Sequence, residues 1–227
     1  MSTSKKHLFI NILKKVLWQT ADIIFPQEYL VEKITEMSPE DLYNQASKSP
    51  VDNSGIKAIF KYRDILIRRA IWELNYRGNK KIARLLASIL YDHILEEIGD
   101  MSEMENLTKM VVLPTPISNK RLNERGFNQC ELLLDELIKL DASNNFIYSK
   151  NVLYKIKDTP SQTSIKDKNL RLKNLQGCFS IKDKKIIVGE NIIIIDDVYT
   201  TGSTINEIKK ELKSAGAKKV FAFTIAH

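Results

Sequence analysis

The sequence predicts an α/β protein: a mostly parallel sheet flanked by helices, with a small helical N-terminal region. Three observations carry that prediction. Asn191 to Asp196 holds four consecutive isoleucines, Ile192 to Ile195, and a strand apolar at every position is one buried on both faces, as strands of parallel sheets are. Two further apolar runs, Met110 to Leu113 and Val220 to Ile225, read as strands as well. Beyond Gly99 these runs alternate with helical patterns, the texture of an α/β domain.

In chain order, Leu8, Ile12, Leu13, Val16, Leu17 and Ile24 mark a helical face over residues 7–24, read as packing on the rest of the chain rather than on a membrane surface. Residues 26–55 hold three of the six prolines and read as a short helical, loop-rich connector. Residues 1–55 are therefore set apart as an N-terminal region and residues 56–227 as the main domain. From Ala58 to about Arg77 an apolar pattern runs through Tyr62, Ile65, Ile67, Ile71, Trp72 and Leu74, until Tyr76 to Lys80 breaks it at Gly78. Lys81 to Ile98 is the clearest amphipathic helix, through Ile82, Leu85, Leu86, Ile89, Leu90 and Ile94.

The strand at 110–113 ends in the stiff turn Pro114-Thr115-Pro116, whose Thr115–Pro116 bond could be cis. Gln129 to Leu140 reads as a helix, Val152 to Ile156 as a short strand, and Lys157 to Gln176 as a polar, basic segment of weak periodicity. After the isoleucine strand, Thr204 and Glu207 form a capping box for a helix over 204–215, which Gly216 stops.

Composition narrows the function less than these patterns do. A chain of 227 residues holds one α/β domain and a small appendage. The formal charge of +7 suits an anionic small ligand and nucleic acid equally. Cys130 and Cys178 are too few for a disulfide framework or a cysteine zinc site, and His7, His93 and His227 lack ligand spacing. No run approaches membrane-spanning length and no signal-peptide pattern opens the chain, so the simplest expectation is a cytoplasmic protein.

The chemistry concentrates after the isoleucine strand. Asp196 and Asp197 are followed by Thr200, Thr201, Gly202, Ser203 and Thr204 at the start of a helix. Helix N-terminal N–H groups and hydroxyls make an anion site, and a glycine lets the backbone approach a phosphate closely. Two carboxylates would repel the phosphate itself, but they suit the hydroxyls of a sugar. A phosphorylated ribose satisfies both halves. No Gly-x-Gly occurs, which removes the dinucleotide fingerprint, and no lysine follows Gly202 as a Walker A loop requires.

Two other stretches are basic. After Pro114-Thr115-Pro116 come Lys120, Arg121 and Arg125, then Gly126, Phe127, Asn128 and Gln129. Such charge could stabilise a departing pyrophosphate or form a solvated loop. The segment holding Gln162, Arg171 and Asn174 reads as a mobile basic stretch able to close over a charged ligand, or as an exposed linker.

The stretch from Ile193 to Thr204 resembles the 5-phosphoribosyl-1-pyrophosphate (PRPP) motif of type I phosphoribosyltransferases. With Pro114 to Pro116, Arg125 to Gln129, and the set Gln162, Arg171 and Asn174, the chain is similar to the ComF family over roughly residues 56–227. The resemblance implies a type I phosphoribosyltransferase fold and displacement of pyrophosphate from PRPP by a nitrogen nucleophile. It implies Asp196 and Asp197 on the ribose, Thr200 to Thr204 on the 5′-phosphate, and Thr115, Lys120, Arg121 and Arg125 toward the pyrophosphate. Mg²⁺ would sit on PRPP oxygens rather than on the protein. Relatives with a four-cysteine zinc module place it after a Phe-Pro step; here Phe25-Pro26 continues without cysteine, so no zinc is expected. The family's link to competence keeps a rival open: a PRPP- or single-stranded-DNA-binding protein with little or no transferase activity. The acceptor and the oligomeric state are not specified by the sequence.

Overall fold

The computed structural model describes residues 27–50, 55–105, 110–158 and 177–227. The helical face expected over residues 7–24, and Gln162, Arg171 and Asn174, lie outside the described residues. Before the sheet come helices α1 (Gln27–Glu36) and α2 (Pro39–Gln45), the latter opened by a capping box between Ser38 and Asp41. Ile34, Leu42 and Ala46 are buried in the same core as Phe60, Leu74 and Leu86, so these helices share the core of the domain that follows.

Five strands, β1 (Ile56–Phe60), β2 (Met110–Pro114), β3 (Phe146–Tyr148), β6 (Asn191–Val198) and β7 (Lys219–Ala226), form one sheet in the order β1-β7-β6-β2-β3. Every pairing in it is parallel. A separate antiparallel hairpin joins β4 (Leu153–Lys155) to β5 (Phe179–Ile181). Helices α3 (Ile65–Arg77), α4 (Lys80–Glu105) and α6 (Gln129–Leu140) cover one face, while α7 (Ser203–Ser214) and the hairpin cover the other. The short helix α5 (Asn119–Arg125) leads from β2 to α6.

The isoleucine run shows why the sheet is two-faced. Strand side chains alternate. Ile193 and Ile195 enter the core with Leu86, Leu134 and Phe223, whereas Ile192 and Ile194 meet Ile205, Ile208 and Leu212 of α7. All four are fully buried, as the sequence pattern predicts.

From β2 the chain steps outward to β3, and from β6 it steps the opposite way to β7. The reversal falls between β2 and β6, and ligands of open parallel sheets bind outside the carboxyl ends of the strands at such a point. There the amide of Thr115 donates to the carbonyl of Ile195 at 2.8 Å, joining the two strand ends.

The structure departs from the sequence reading in several places. The pattern assigned to Ala58 through Arg77 is two elements, strand β1 and helix α3, separated by Asp64, whose carboxylate caps α3 at the amides of Leu66 and Ile67. Val152 to Ile156 does contain a strand, but it belongs to the hairpin rather than to the main sheet. The Thr115–Pro116 peptide is trans. The capping box expected at Thr204 is not formed: Gly202 is the N-cap of α7, and Glu207 instead accepts from the amide of Gly177 at 2.8 Å. The carboxylate is drawn to the start of β5, a contact that no local motif encodes.

Candidate functional site

The loop after β6 encloses about 180 Å³ of space open to solvent, lined by Asp196, Val198, Tyr199, Thr200, Gly202, Ser203, Thr204 and Ile205. Gly202 sits at φ +70°, and a Cβ there would lie 2.8 Å from the Tyr199 ring. Glycine is thus required both by backbone conformation and by space. As N-cap it offers no side chain to the first-turn N–H groups, and the hydroxyls of Thr201 and Ser203 pair at 2.8 Å beside them. Amide donors, hydroxyls and the positive end of a three-turn helix converge on this cleft, which is the chemistry of a phosphate cradle.

The two acids at the end of β6 are treated differently. Asp196 is buried; its Oδ1 accepts from its neighbour's amide at 3.0 Å and lies 3.4 Å from Cys130 Sγ. Burial, and then the adjacent Asp197 charge, push the Asp196 carboxyl well above the ordinary carboxylate range. Burial and the same two acids push the Cys130 thiol up as well. Asp197, half-buried, turns toward α3 and α6. Asn75 Nδ2 donates to its Oδ2 at 2.5 Å and Gln129 Nε2 to its Oδ1 at 3.4 Å.

The raised Asp196 carboxyl has a consequence for stability. The folded chain keeps this proton to higher pH than the unfolded chain does, so the native state binds more protons across the window above about pH 4. Its contribution is complete below the unfolded carboxylate pKa and is lost as pH rises. Asp196→Asn is expected to flatten the fall in thermal midpoint as pH rises above about 4, the ordinary carboxylate range. An unchanged slope in that variant would remove Asp196 as its source.

Arg125, expected toward the pyrophosphate, is found behind Asp197. Its Nη1 donates to Asn75 Oδ1 at 3.0 Å and to Gln129 Oε1 at 3.3 Å, and its guanidinium lies 5.1 Å from the centre of the Tyr76 ring. Thr115 is buried at the strand end; its carbonyl accepts from Asn128 Nδ2 at 3.1 Å, and its hydroxyl has no partner among the described residues. Lys120 is exposed on α5 and Arg121 is half-buried there, with its amide 3.4 Å from the Ser118 capping hydroxyl. Arg121 is close enough to Lys155 on β4 to add to burial in lowering that ammonium's pKa.

The structure therefore gathers Thr115, Asp196, Asp197 and Thr200 to Thr204 at one end of the sheet. It adds Asn75, Gln129 and Cys130, which the sequence reading did not assign to the site. Gln129 closes the Arg125 to Gln129 stretch, so its polar character is the available signal, whereas Asn75 lies in a segment marked only by its apolar pattern. Sγ of Cys130 and carboxylate oxygens of Asp196 and Asp197 lie within 4.8 Å of one another. The buried thiol is turned to Asp196, so this is not the oxygen-only set that a hard cation prefers.

Comparison with known proteins agrees with this architecture. The phosphoribosyl transferase domain family matches residues 131–227. Competence protein F of Haemophilus influenzae is 30% identical over 164 residues, covering 71% of this chain and 66% of that protein. Competence protein ComFC of Streptococcus pneumoniae is 32% identical over 169 residues, covering 74% of this chain and 66% of the relative. DNA utilization protein YhgH of Salmonella typhimurium is 29% identical over 150 residues, or 66% of this chain and 62% of that protein. The chain thus spans slightly less than two thirds of these relatives' lengths.

The parallel sheet, its switch point and the loop after β6 define a type I phosphoribosyltransferase fold. Over most of its length the chain is similar to ComF-type, phosphoribosyltransferase-like competence proteins. No described helix is long and apolar enough to cross a membrane.

Proposed function

We propose that this protein binds PRPP at the carboxyl ends of β2 and β6 and transfers its phosphoribosyl group to a nitrogen nucleophile with loss of pyrophosphate. One observation carries the reading: a glycine-capped helix N-terminus and the buried carboxyl of Asp196 line one cleft, and the half-buried carboxylate of Asp197 follows next along the same strand. Residues Thr200 to Thr204 hold the 5′-phosphate, and Asp196 and Asp197 receive the ribose hydroxyls. Thr115, whose hydroxyl has no partner among the described residues, and Lys120 and Arg121 on the following helix lie toward the pyrophosphate. Mg²⁺ arrives on PRPP oxygens, where it lowers the charge on the leaving group.

The loop carries hydroxyls and no carboxylate, so the loop itself offers no general base. Pyrophosphate release from PRPP with Mg²⁺, followed across a panel of nucleobases, tests the proposal. Release above background with one acceptor supports it, and PRPP binding without release for any acceptor would reduce the protein to a binder.

A second reading, contact with single-stranded DNA, is favoured by the face of α3. Residues 61–84 hold eight lysines and arginines against two acids, and so most of the chain's +7 excess. Both acids are engaged, Asp64 as a cap and Glu73 in a buried pair with Arg69. Trp72 and Tyr76 are 39% and 62% exposed with centroids 5.4 Å apart, and the guanidiniums of Arg69 and Arg77 lie over Trp72. Exposed rings among cations suit unpaired bases and their phosphates. Tyr76→Leu is expected to weaken binding of an oligothymidylate about tenfold, and Tyr76→Phe to preserve it. Equal binding of duplex, or no change in Tyr76→Leu, would count against this surface.

A further inference from the structure

We infer that Asn75, Gln129 and Arg125 form a positioning clamp that fixes the carboxylate of Asp197, so that its remaining lone pairs select a ligand bearing vicinal hydroxyls. The inference rests on the PRPP reading and assigns to Arg125 a task different from pyrophosphate contact.

The geometry is a closed ring of hydrogen bonds. One guanidinium nitrogen, Arg125 Nη1, faces two amide oxygens, Asn75 Oδ1 and Gln129 Oε1, at 3.0 and 3.3 Å. The nitrogens of the same two amides face the two oxygens of Asp197, at 2.5 and 3.4 Å. An amide can turn over and exchange its oxygen for its nitrogen at little steric cost. Here neither can: a flip would bring NH₂ against a cation and a carbonyl oxygen against a carboxylate. Arg125 therefore sets the direction of both amides, and the amides set the direction of Asp197. Four separate elements meet in the ring, since Asn75 comes from α3, Arg125 from the end of α5, Gln129 from the start of α6 and Asp197 from the end of β6.

The ring is also held from outside. Gly78 ends α3 at φ +58°, and its Cα faces the Phe127 ring closely enough that an added Cβ would meet it at 3.1 Å. Arg125 lies over Tyr76, one residue from Asn75. These packings bring the end of α3 against the turn between α5 and α6, and so keep Asn75 and Gln129 at the spacing that a single carboxylate spans. Each amide takes one lone-pair direction on its oxygen. A carboxylate accepts about four hydrogen bonds, which leaves Asp197 able to receive a ligand's hydroxyls in a fixed orientation. The clamp acts through Asp197 and touches no ligand atom itself.

The test uses a ratio that a general loss of stability does not move. Binding of ribose 5-phosphate and of 2-deoxyribose 5-phosphate to the full chain is measured by calorimetry, with PRPP·Mg²⁺ alongside. The unmodified chain is expected to favour the ribose compound, and Asn75→Ala to reduce that preference about tenfold while the affinity for the deoxy compound stays nearly constant. Arg125→Met, which keeps an unbranched stem over Tyr76 and frees both amides, is expected to reduce the same ratio. The double variant should do little more than Asn75→Ala alone, because groups acting as one unit are not additive.

Arg125→Met weakening only PRPP, with the sugar ratio intact, would overturn the clamp and return Arg125 to the pyrophosphate. A lowered thermal midpoint without any change in the ratio would make the ring merely structural. An unmodified chain that binds none of the three ligands would sink the PRPP reading itself, a failure visible before any variant is made.

Discussion

Asp197→Asn is expected to weaken PRPP·Mg²⁺ binding about a hundredfold, equivalent to about 2.8 kcal/mol. Two losses combine. Hydrogen bonds to a charged acceptor contribute about 1.5–3 kcal/mol each, and the ribose hydroxyls would face a neutral amide instead of a carboxylate. The replacement also meets the wrong neighbours. Asn75 and Gln129 both present NH₂ groups to residue 197, at 2.5 and 3.4 Å, and an asparagine has only one oxygen to receive them. Its own NH₂ would oppose one of the two donors. Calorimetry reads the affinity, and an unchanged dissociation constant would remove Asp197 from the ligand site.

Gly202→Ala is the second large effect. Placing a non-glycine residue in the left-handed region costs about 1–2 kcal/mol. A methyl at this position would also lie 2.8 Å from the Tyr199 ring and 3.2 Å from Asn206 Nδ2. Tyr199 has little room to yield, because it stacks on His227 with centroids 4.4 Å apart. A total loss of about 2–4 kcal/mol is expected in denaturant unfolding, along with most of the affinity for ribose 5-phosphate. Gly126→Ala is the control: φ is +79° there as well, but nothing lies within 4 Å of the added carbon. It should show the backbone cost alone, about 1–2 kcal/mol. Equal losses in the two variants would show that the Tyr199 contact contributes nothing.

How far the sequence could be read depended on burial. Ile192 to Ile195 announced a central strand because both faces are covered and every position had to be apolar. Gln129–Leu140 was legible at both ends, since its apolar spacing is regular and Asn128 caps it through the amide of Cys130. The edges were not legible. Strand β1 has five residues and only one neighbouring strand, its other edge meeting a single bridge from Phe60 to Lys48; Lys57 interrupts its apolar pattern and pairs with Glu97 on α4. Strand β3 has three residues and carries an exposed Ile147. Helix α5 buries none of its residues, so it has no apolar face to announce it; only the Ser118 cap and Gly126 stop mark its ends.

The site divides along the same line. The loop from Asp196 to Thr204 was readable because its parts are contiguous: strand, acids, hydroxyls and glycine follow one another along the chain. Its helix start was misread by one motif, since Glu207 found a partner 30 residues away at Gly177. Arg125 was recognised as important for its charge, yet charge alone does not say what a guanidinium faces.

By itself, then, the sequence determined the parallel sheet, the covered isoleucine strand and the run of acids, hydroxyls and glycine in the loop behind it. Each follows from interactions between near neighbours along the chain. Only the tertiary structure decided that Asp196 is a buried acid with a raised pKa and Asp197 a clamped one. The reason is that Asn75 and Asp197 are 122 residues apart, and Gln129 and Asp197 are 68 apart. Nothing in local periodicity fixes which polar groups meet across such distances; the packing of α3 and α6 against one face of the sheet does.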